Sequence, residues 1–307
     1  MDKLQQISET FELLPLERIE EKLMINSSLS GDFPAIHQAL FARRCGALSA
    51  IKITKYYAKQ FVQAGGEIRY QTEIKDLELS HKEQCYPPWE QVKMLSVRDQ
   101  NGKTYSASKF IFTTGAWTDA LLRKIGIASQ IYPKKRQIFT LKIRDPKQFA
   151  KRLEKNFPVI ILPAGGVYVK PVLQNHILMV GCANDLGNPF QMNGFPPKAE
   201  DSYFTAAIEP VLNHYFSNLN QYSLFSKWAG YYAYYWPDKN PIIEAVANIF
   251  WVSGTSGSGI MKADAIGRVA TGRVLGMEKV ELFDGTKFAT TTLSLKHRQV
   301  DPEELII

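Results

Sequence analysis

The residues best placed to do chemistry lie between Ile249 and Lys262. An apolar run of β type, Ile249-Phe250-Trp251-Val252, breaks at Ser253 into Gly254-Thr255-Ser256-Gly257-Ser258-Gly259, and a segment of helical period begins at about Met261. Strand, tight turn and helix start follow one another. Glycines let a backbone approach a ligand with no Cβ in the way, and the first turn of a helix offers unpaired N–H groups at the positive end of its dipole. An anion, or a group bearing carbonyl oxygens, is the expected occupant; a plain Gly-Ser loop is the simplest alternative. Two sharper chemistries fit less well. A Walker A loop needs Lys-Ser or Lys-Thr directly after its last glycine, whereas Gly259 is followed by Ile260 and Met261 before Lys262. A serine nucleophile at Ser256 lacks the closing glycine of G-x-S-x-G, because Ser258 stands there, and His37, His81, His176, His214 and His297 offer no recognisable base context.

A second turn of the same kind lies upstream. Phe110-Ile111-Phe112-Thr113-Thr114-Gly115-Ala116-Trp117-Thr118 reads as a buried strand that runs through a glycine turn into a helix over Asp119 to Ile125. Two strand-to-helix turns suit the carboxyl edge of one sheet, where α/β folds bind ligands. The segment Lys227 to Pro237 places six aromatic rings in nine positions, Trp228 to Trp236. They cannot all face a core at strand period, so some face a cavity or an interface. The densest basic spot is Lys134-Lys135-Arg136, either a solvated strand end or a ligand contact.

The elements that must position these residues follow from the chain in order. With 307 residues, 45% hydrophobic and 22% charged, the chain has the composition of an ordinary globular protein of two domains or one large one. Its net charge of +7 is spread along the sequence, which argues against a nucleic-acid partner. Cys45, Cys85 and Cys182 lie far apart with no C-x-x-C, giving neither a disulfide framework nor a metal cluster, and cytoplasmic is the default location. No signal-peptide pattern and no run long enough to span a bilayer is visible; peripheral contact with a membrane or an electron acceptor stays open.

Asp2 to Leu23 has helical or near-helical spacing, with a new helix at Pro15. Ala50 to Ala64 reads as a helix capped by Ser49 and stopped by Gly65-Gly66, and Glu67 to Ile74 as an alternating strand continued to Leu79. Val92 to Val97 and Thr104 to Lys109 form a hairpin about Asn101-Gly102. Strands are expected at Ile131 to Ile143, Pro158 to Leu162, Gly166 to Val172 and His176 to Gly181, then a loop over Ala183 to Pro197 and a helix over Ala199 to Phe216 broken near Pro210. The fold class is therefore α/β (α+β), with a mostly antiparallel β domain inserted between the two glycine turns. The expected division is a cofactor domain over 46–125 and 238–286, a substrate or cap domain over 1–45 and 126–237, and a tail from about Lys287.

Taken together, the blocks resemble one family. Trp228-Ala229-Gly230, Pro237-Asp238-Lys239-Asn240-Pro241-Ile242-Ile243, Asn248 to Gly259 and Ala263-Asp264-Ala265-Ile266-Gly267-Arg268 look like the C-terminal block of the D-amino-acid-oxidase-like (DAO) flavoproteins, of the glycine oxidase, sarcosine oxidase and archaeal dye-linked proline dehydrogenase type. Gly46 to Ile74 and Thr113 to Thr118 resemble its helix-and-strand unit and its A-A-G-A-W-S/T turn. The resemblance implies bound FAD: Thr72, Glu73 and Ile74 at the adenine, Thr114, Gly115 and Trp117 at the ribose and pyrophosphate, and Gly257, Ser258, Gly259, Ile260 and Met261 at the pyrimidine edge of the flavin. It also implies oxidation of the C–N bond of a small amine or amino-acid substrate by hydride transfer to FAD.

Three departures accompany it. The family's opening strand with G-x-G-x-x-G has no counterpart in residues 1 to 45, so the cofactor domain is expected to lack its N-terminal Rossmann βαβ unit, and a separate chain is a candidate to supply it. Met261 stands where some members carry a carboxylate-binding lysine, with Lys262 one place off. The Tyr231 to Trp236 segment lacks the family's carboxylate-clamping arginine, leaving Arg136, Tyr232 and Tyr234 as substitutes. The alternative reading is a non-catalytic remnant of the same fold.

Overall fold

The computed structural model describes residues 11–23, 25–26, 32–42, 45–80, 92–144, 157–172, 176–183, 192, 194–216 and 222–303. Strand β1 (Phe11–Pro15) leads into α1 (Leu16–Leu23) and pairs antiparallel with β2 (Gln38–Ala42), Phe11 opposite Ala42. The helix expected across Asp2 to Leu23 is thus corrected where it is described: Phe11 to Pro15 is extended because its partner is a distant strand, which local periodicity does not report. Helix α2 (Ala50–Gln63) starts as expected, the Ser49 hydroxyl accepting the Lys52 N–H at 3.4 Å, and Gly65 closes it at φ +90°.

The strand expected over Glu67 to Ile74 is absent until Ile74. Among the described residues Ile68 and Tyr70 have no strand to pair with, and the Gln100 side chain instead binds the Gln71 carbonyl at 2.8 Å and the Glu73 N–H at 2.5 Å. Strand β3 (Ile74–Leu79) joins β4 (Met94–Asp99) and β5 (Thr104–Ser106) in a three-stranded antiparallel sheet. Its hairpin turns where expected, Asp99 accepting the N–H groups of Asn101 and Lys103 at 2.9 and 3.0 Å, with Gly102 at φ +79°.

Strand β6 (Phe110–Phe112) passes through a 3₁₀ turn, Gly115–Trp117, into α3 (Thr118–Leu122). Then β7 (Ile131–Ile143), β8 (Ile160–Ile161), β9 (Tyr168–Val172) and β10 (Ile177–Gly181) form, with the later β11 (Tyr222–Tyr235), a five-stranded antiparallel sheet of order β11-β7-β10-β9-β8. Most of the loop expected over Ala183 to Pro197 lies outside the described residues. The helix expected over Ala199 to Phe216 is split into α4 (Asp201–Tyr203), a π turn (Phe204–Ile208) and α5 (Glu209–Tyr215). Pro210 carries no N–H, so one carbonyl of the preceding turn loses its helical donor and the turn widens. One core packs this helical segment and β1–α1 on the five-stranded sheet, through Leu14, Ile19, Phe139, Leu141, Val180, Phe204 and Leu212.

Strands β12 (Ile242–Val246) and β13 (Ile249–Ser253) pair antiparallel, and β13 runs parallel to β6 with Ile249 opposite Phe110. Helix α6 (Gly259–Leu275) follows, then β14 (Lys279–Glu281) and β15 (Lys287–Ala289). The segment from Lys287, expected as a tail, is part of the body. β15 pairs with β14, and Arg298 forks onto Asp238, donates to the carbonyls of Pro241 and Leu293 at 3.0 and 3.1 Å, and lies 4.7 Å from the Tyr235 ring. A sequence stretch without periodicity conceals such a clamp, because most of the contacts of Arg298 reach far along the chain.

Candidate cofactor and substrate site

Because β6 and β13 are parallel neighbours, the turns that follow them leave the same sheet edge side by side. Hydroxyls latch the two turns together: Thr118 Oγ1 and Ser253 Oγ both donate to the Gly115 carbonyl, at 2.7 and 3.0 Å, and lie 3.1 Å apart. Gly115 adopts φ +54° with open space where a Cβ would stand, so a ligand can reach its backbone. Ser256 is fully buried at φ +48°; its Oγ accepts the Tyr235 N–H at 3.0 Å and donates to the Gly254 carbonyl at 3.1 Å. Its hydroxyl ties the turn to β11, which accounts for the residue without a nucleophilic role.

Helix α6 begins at Gly259, two residues before the periodic segment suggests. Ser258 makes no side-chain cap, its hydroxyl donating instead to the Thr255 carbonyl at 3.2 Å, so among the described residues no side chain caps the first-turn N–H groups. Ile260 and Met261 in that turn are exposed, Met261 at 78%. Lys262 points elsewhere: its ammonium pairs with Glu303 and donates to Asn240 Oδ1 at 3.2 Å.

Beside the Gly115 turn lies a cavity of about 1000 Å³. Thr72, Glu73, Ile74, Thr114 and Trp117, drawn from two separate stretches of sequence, share its wall. Trp117 connects it to the other half of the site, its ring meeting Phe195 edge-on at 5.4 Å and Tyr231 at 6.5 Å. Gly257 has φ +103°, and a Cβ there would stand 2.5 Å from the ring of Tyr232.

The register of the five-stranded sheet lays out the rest. One face is core; on the other, Tyr132 and Tyr234, then Lys134 and Tyr232, then Arg136 and Gly230, then Trp228, Ile138, Gly181 and Tyr168 stand in successive cross-strand rows. The Arg136 guanidinium lies 5.7 Å from the Tyr232 ring, and nothing occupies the space over Gly230 opposite it. Tyr168 bends back over Gly181, where a Cβ would come 2.2 Å from its hydroxyl. Burial pushes the Tyr168 phenol up, with Tyr232 adding to this and Arg136 opposing it; burial likewise raises Tyr232, again opposed by Arg136. Both phenols therefore stay neutral donors. Of the expected substrate contacts, Arg136 and Tyr232 come together, Tyr234 is buried with its ring 6.1 Å from Trp236, and Lys262 stands apart. Tyr168 escaped the sequence reading; its signal was alternation within β9 opposite a glycine of β10.

A parallel strand pair with two glycine turns at one edge, joined to a broad antiparallel sheet whose other face carries cations and phenols, is a mixed α/β fold. A sequence model described as DAO, FAD dependent oxidoreductase, matches residues 2–273, and the chain belongs to that family, whose cofactor is FAD. No curated protein matches its sequence significantly. Among solved structures it is similar to L-proline dehydrogenase from P. horikoshii (18% identity, TM-score 0.70, covering 95% of this chain and 70% of that one). It is also similar to glycine oxidase from Geobacillus kaustophilus (17%, TM-score 0.69, 97% and 70%) and iminodiacetate oxidase from Chelativorans sp. BNC1 (16%, TM-score 0.68, 93% and 70%). At these identities the likeness is one of fold. No helix among the described residues is long and apolar enough to cross a membrane.

Proposed function

We propose that this chain oxidises the C–N bond of an amino acid or secondary amine with FAD, and that Arg136, assisted by the phenols of Tyr232 and Tyr168, anchors the substrate carboxylate. The observation that carries the reading is the placement of Arg136. It faces open space over Gly230 and leans on Tyr232, whose ring in turn rests on the Gly257 turn. A cation for the substrate and a turn suited to a carbonyl-bearing cofactor thus share one side chain between them.

The residues fit the cofactor. Gly115 leaves its backbone uncovered, the cavity lined by Thr72, Glu73, Ile74, Thr114 and Trp117 has room for a nucleoside, and the α6 N-terminus has no side-chain cap. In this reading Gly257, Ser258, Gly259, Ile260 and Met261 offer N–H groups to the pyrimidine edge. When bound, FAD supplies the hydride acceptor. The chain's own residues orient the substrate: Arg136 fixes the carboxylate, the two phenols donate to it, and Trp228 walls the open face.

A separate chain that supplies a dinucleotide-binding segment has a surface to cover. No residue of α2 is buried, although Ile51, Tyr56, Phe61 and Val62 are apolar, and Ile111 of β6 is half-exposed in the cavity. The same surface serves the non-catalytic alternative, which differs in leaving FAD unreduced. Titration of the purified chain with FAD, alone and with such a segment, tests the cofactor site through quenching of flavin fluorescence. Arg136→Met should then raise KM for the amine about 30-fold with a smaller change in kcat. Unchanged flavin fluorescence in both titrations would contradict the reading.

A further inference from the structure

Phe195 sits where the ordinary rules of burial do not put a phenyl ring. It is 74% exposed and belongs to none of the three apolar cores of the described residues. Its surroundings nevertheless anchor it. The ring meets Trp117 at 5.4 Å with the two planes at 85°, and the carbonyl of the preceding Gly194 accepts the Tyr231 hydroxyl at 3.0 Å. Trp117 in turn meets Tyr231 edge-on at 6.5 Å. Three rings and one hydrogen bond thus fix a side chain that water still reaches.

The place it is fixed is the wall of the cavity beside Gly115. The other described residues that line this cavity lie between Gln71 and Lys124, and Phe195 alone comes from later in the chain. It stands in the segment between β10, a strand of the five-stranded sheet, and α4. The antiparallel part of the molecule therefore contributes one aromatic ring to a cavity that is otherwise built by the part that carries the Gly115 turn. Perpendicular planes make Phe195 and Trp117 a corner rather than a stack. The rest of the wall includes polar groups: Thr72 and Glu73 lie on a segment that the Gln100 side chain pins, at 2.8 Å to the Gln71 carbonyl and 2.5 Å to the Glu73 N–H. Aromatic surface beside fixed polar groups suits a flat heteroaromatic ligand, which stacks by its face and hydrogen-bonds by its edge.

We propose that Phe195 contacts the adenosine half of FAD, so that the segment after β10 closes the nucleotide end of the cofactor cavity. The identity of the ligand rests on the FAD reading, and the assignment of Phe195 rests on the ring corner and the cavity wall. Stacking a base on an aromatic side chain changes affinity by about tenfold.

Two titrations of the chain, with any complementing segment present, test this. FAD is followed by quenching of flavin fluorescence, and ADP, which carries the adenosine half without the flavin, by calorimetry. Phe195→Ala should weaken both about tenfold, and Phe195→Tyr, which keeps a ring, should stay within about twofold of the unsubstituted chain. Phe283→Ala, which removes an exposed ring on the turn between β14 and β15, should change neither. If Phe195 only packs its own segment onto Trp117, Phe195→Ala lowers the urea midpoint and leaves both affinities alone, which would overturn the proposal. A loss for FAD with none for ADP would overturn it as well, by moving the ring to the flavin half. If the unsubstituted chain binds neither FAD nor ADP, the FAD reading itself fails and the assignment of Phe195 falls with it.

Discussion

On one face of the five-stranded sheet, Phe139, Leu141, Val169, Leu178 and Val180 are buried against Tyr203, Phe204 and Ile208; on the other, the alternate residues, Thr140, Lys170 and Met179 among them, meet no such apolar layer among the described residues. The strands are the same, and only the parity of the position differs. Because side chains alternate with a period of two, one stretch such as Tyr168-Val169-Lys170 carries a packing instruction and a binding instruction at once. The buried face also protects the open one. A slip of one residue in β7 would drive Arg136 into the core and Phe139 into solvent, so the apolar face fixes the register on which the cation geometry depends.

The contrast can be broken most strongly from the buried side. Phe139→Ala removes a fully buried ring that stacks on Tyr203 at 6.4 Å and tilts against Phe204 at 5.3 Å. It should cost about 3–5 kcal/mol in urea unfolding, while carboxylate affinity, measured where the variant is still folded, stays unchanged. Gly257→Ala acts from the open side and should cost about 1–2 kcal/mol. Its φ of +103° and the 2.5 Å approach to Tyr232 mean that the ring must move, so this change should weaken carboxylate binding as well as stability. Arg136→Met should leave the urea midpoint almost where it is, within about 0.5 kcal/mol, and lower carboxylate affinity.

The smallest effect concerns pH. Glu200 accepts from Lys135 and Gln137 at the margin of the buried face; the Lys135 hydrogen bond, opposed by burial, holds its carboxyl below the usual range. A depressed folded value means that the stabilisation is present above the unfolded value and lost as pH falls through the folded one. It should therefore fade below about pH 4.3. The side chain is half-exposed, so Glu200→Gln should remove no more than about 0.5 kcal/mol, read as a flatter acid limb of urea midpoints.

Much of this arrangement was legible in the sequence. The limits of β7, the helix after Ser49 and both glycine turns follow from local signals: period, cap and positive-φ glycine. Five of the residues that the family resemblance assigns to FAD are among those that line one cavity. What was not legible depends on partners far along the chain. Glu67 to Glu73 alternates like a strand, yet no described strand pairs with it. Lys262 is one position from a place in the site, and on a helix one position turns a side chain by about 100°. Tyr168 and Lys170 look like ordinary strand residues until the register sets them beside Gly181 and Met179, and Arg298 carries no local pattern that announces its hold on Asp238.

The most direct test of the central claim is anaerobic addition of a panel of amino acids and secondary amines to the FAD-supplemented protein, with any complementing segment present, followed by flavin absorbance. Loss of the oxidised-flavin band, slowed or weakened in Arg136→Met while FAD stays bound, is the predicted result. A band that persists with FAD bound and with every amine tried would contradict the account.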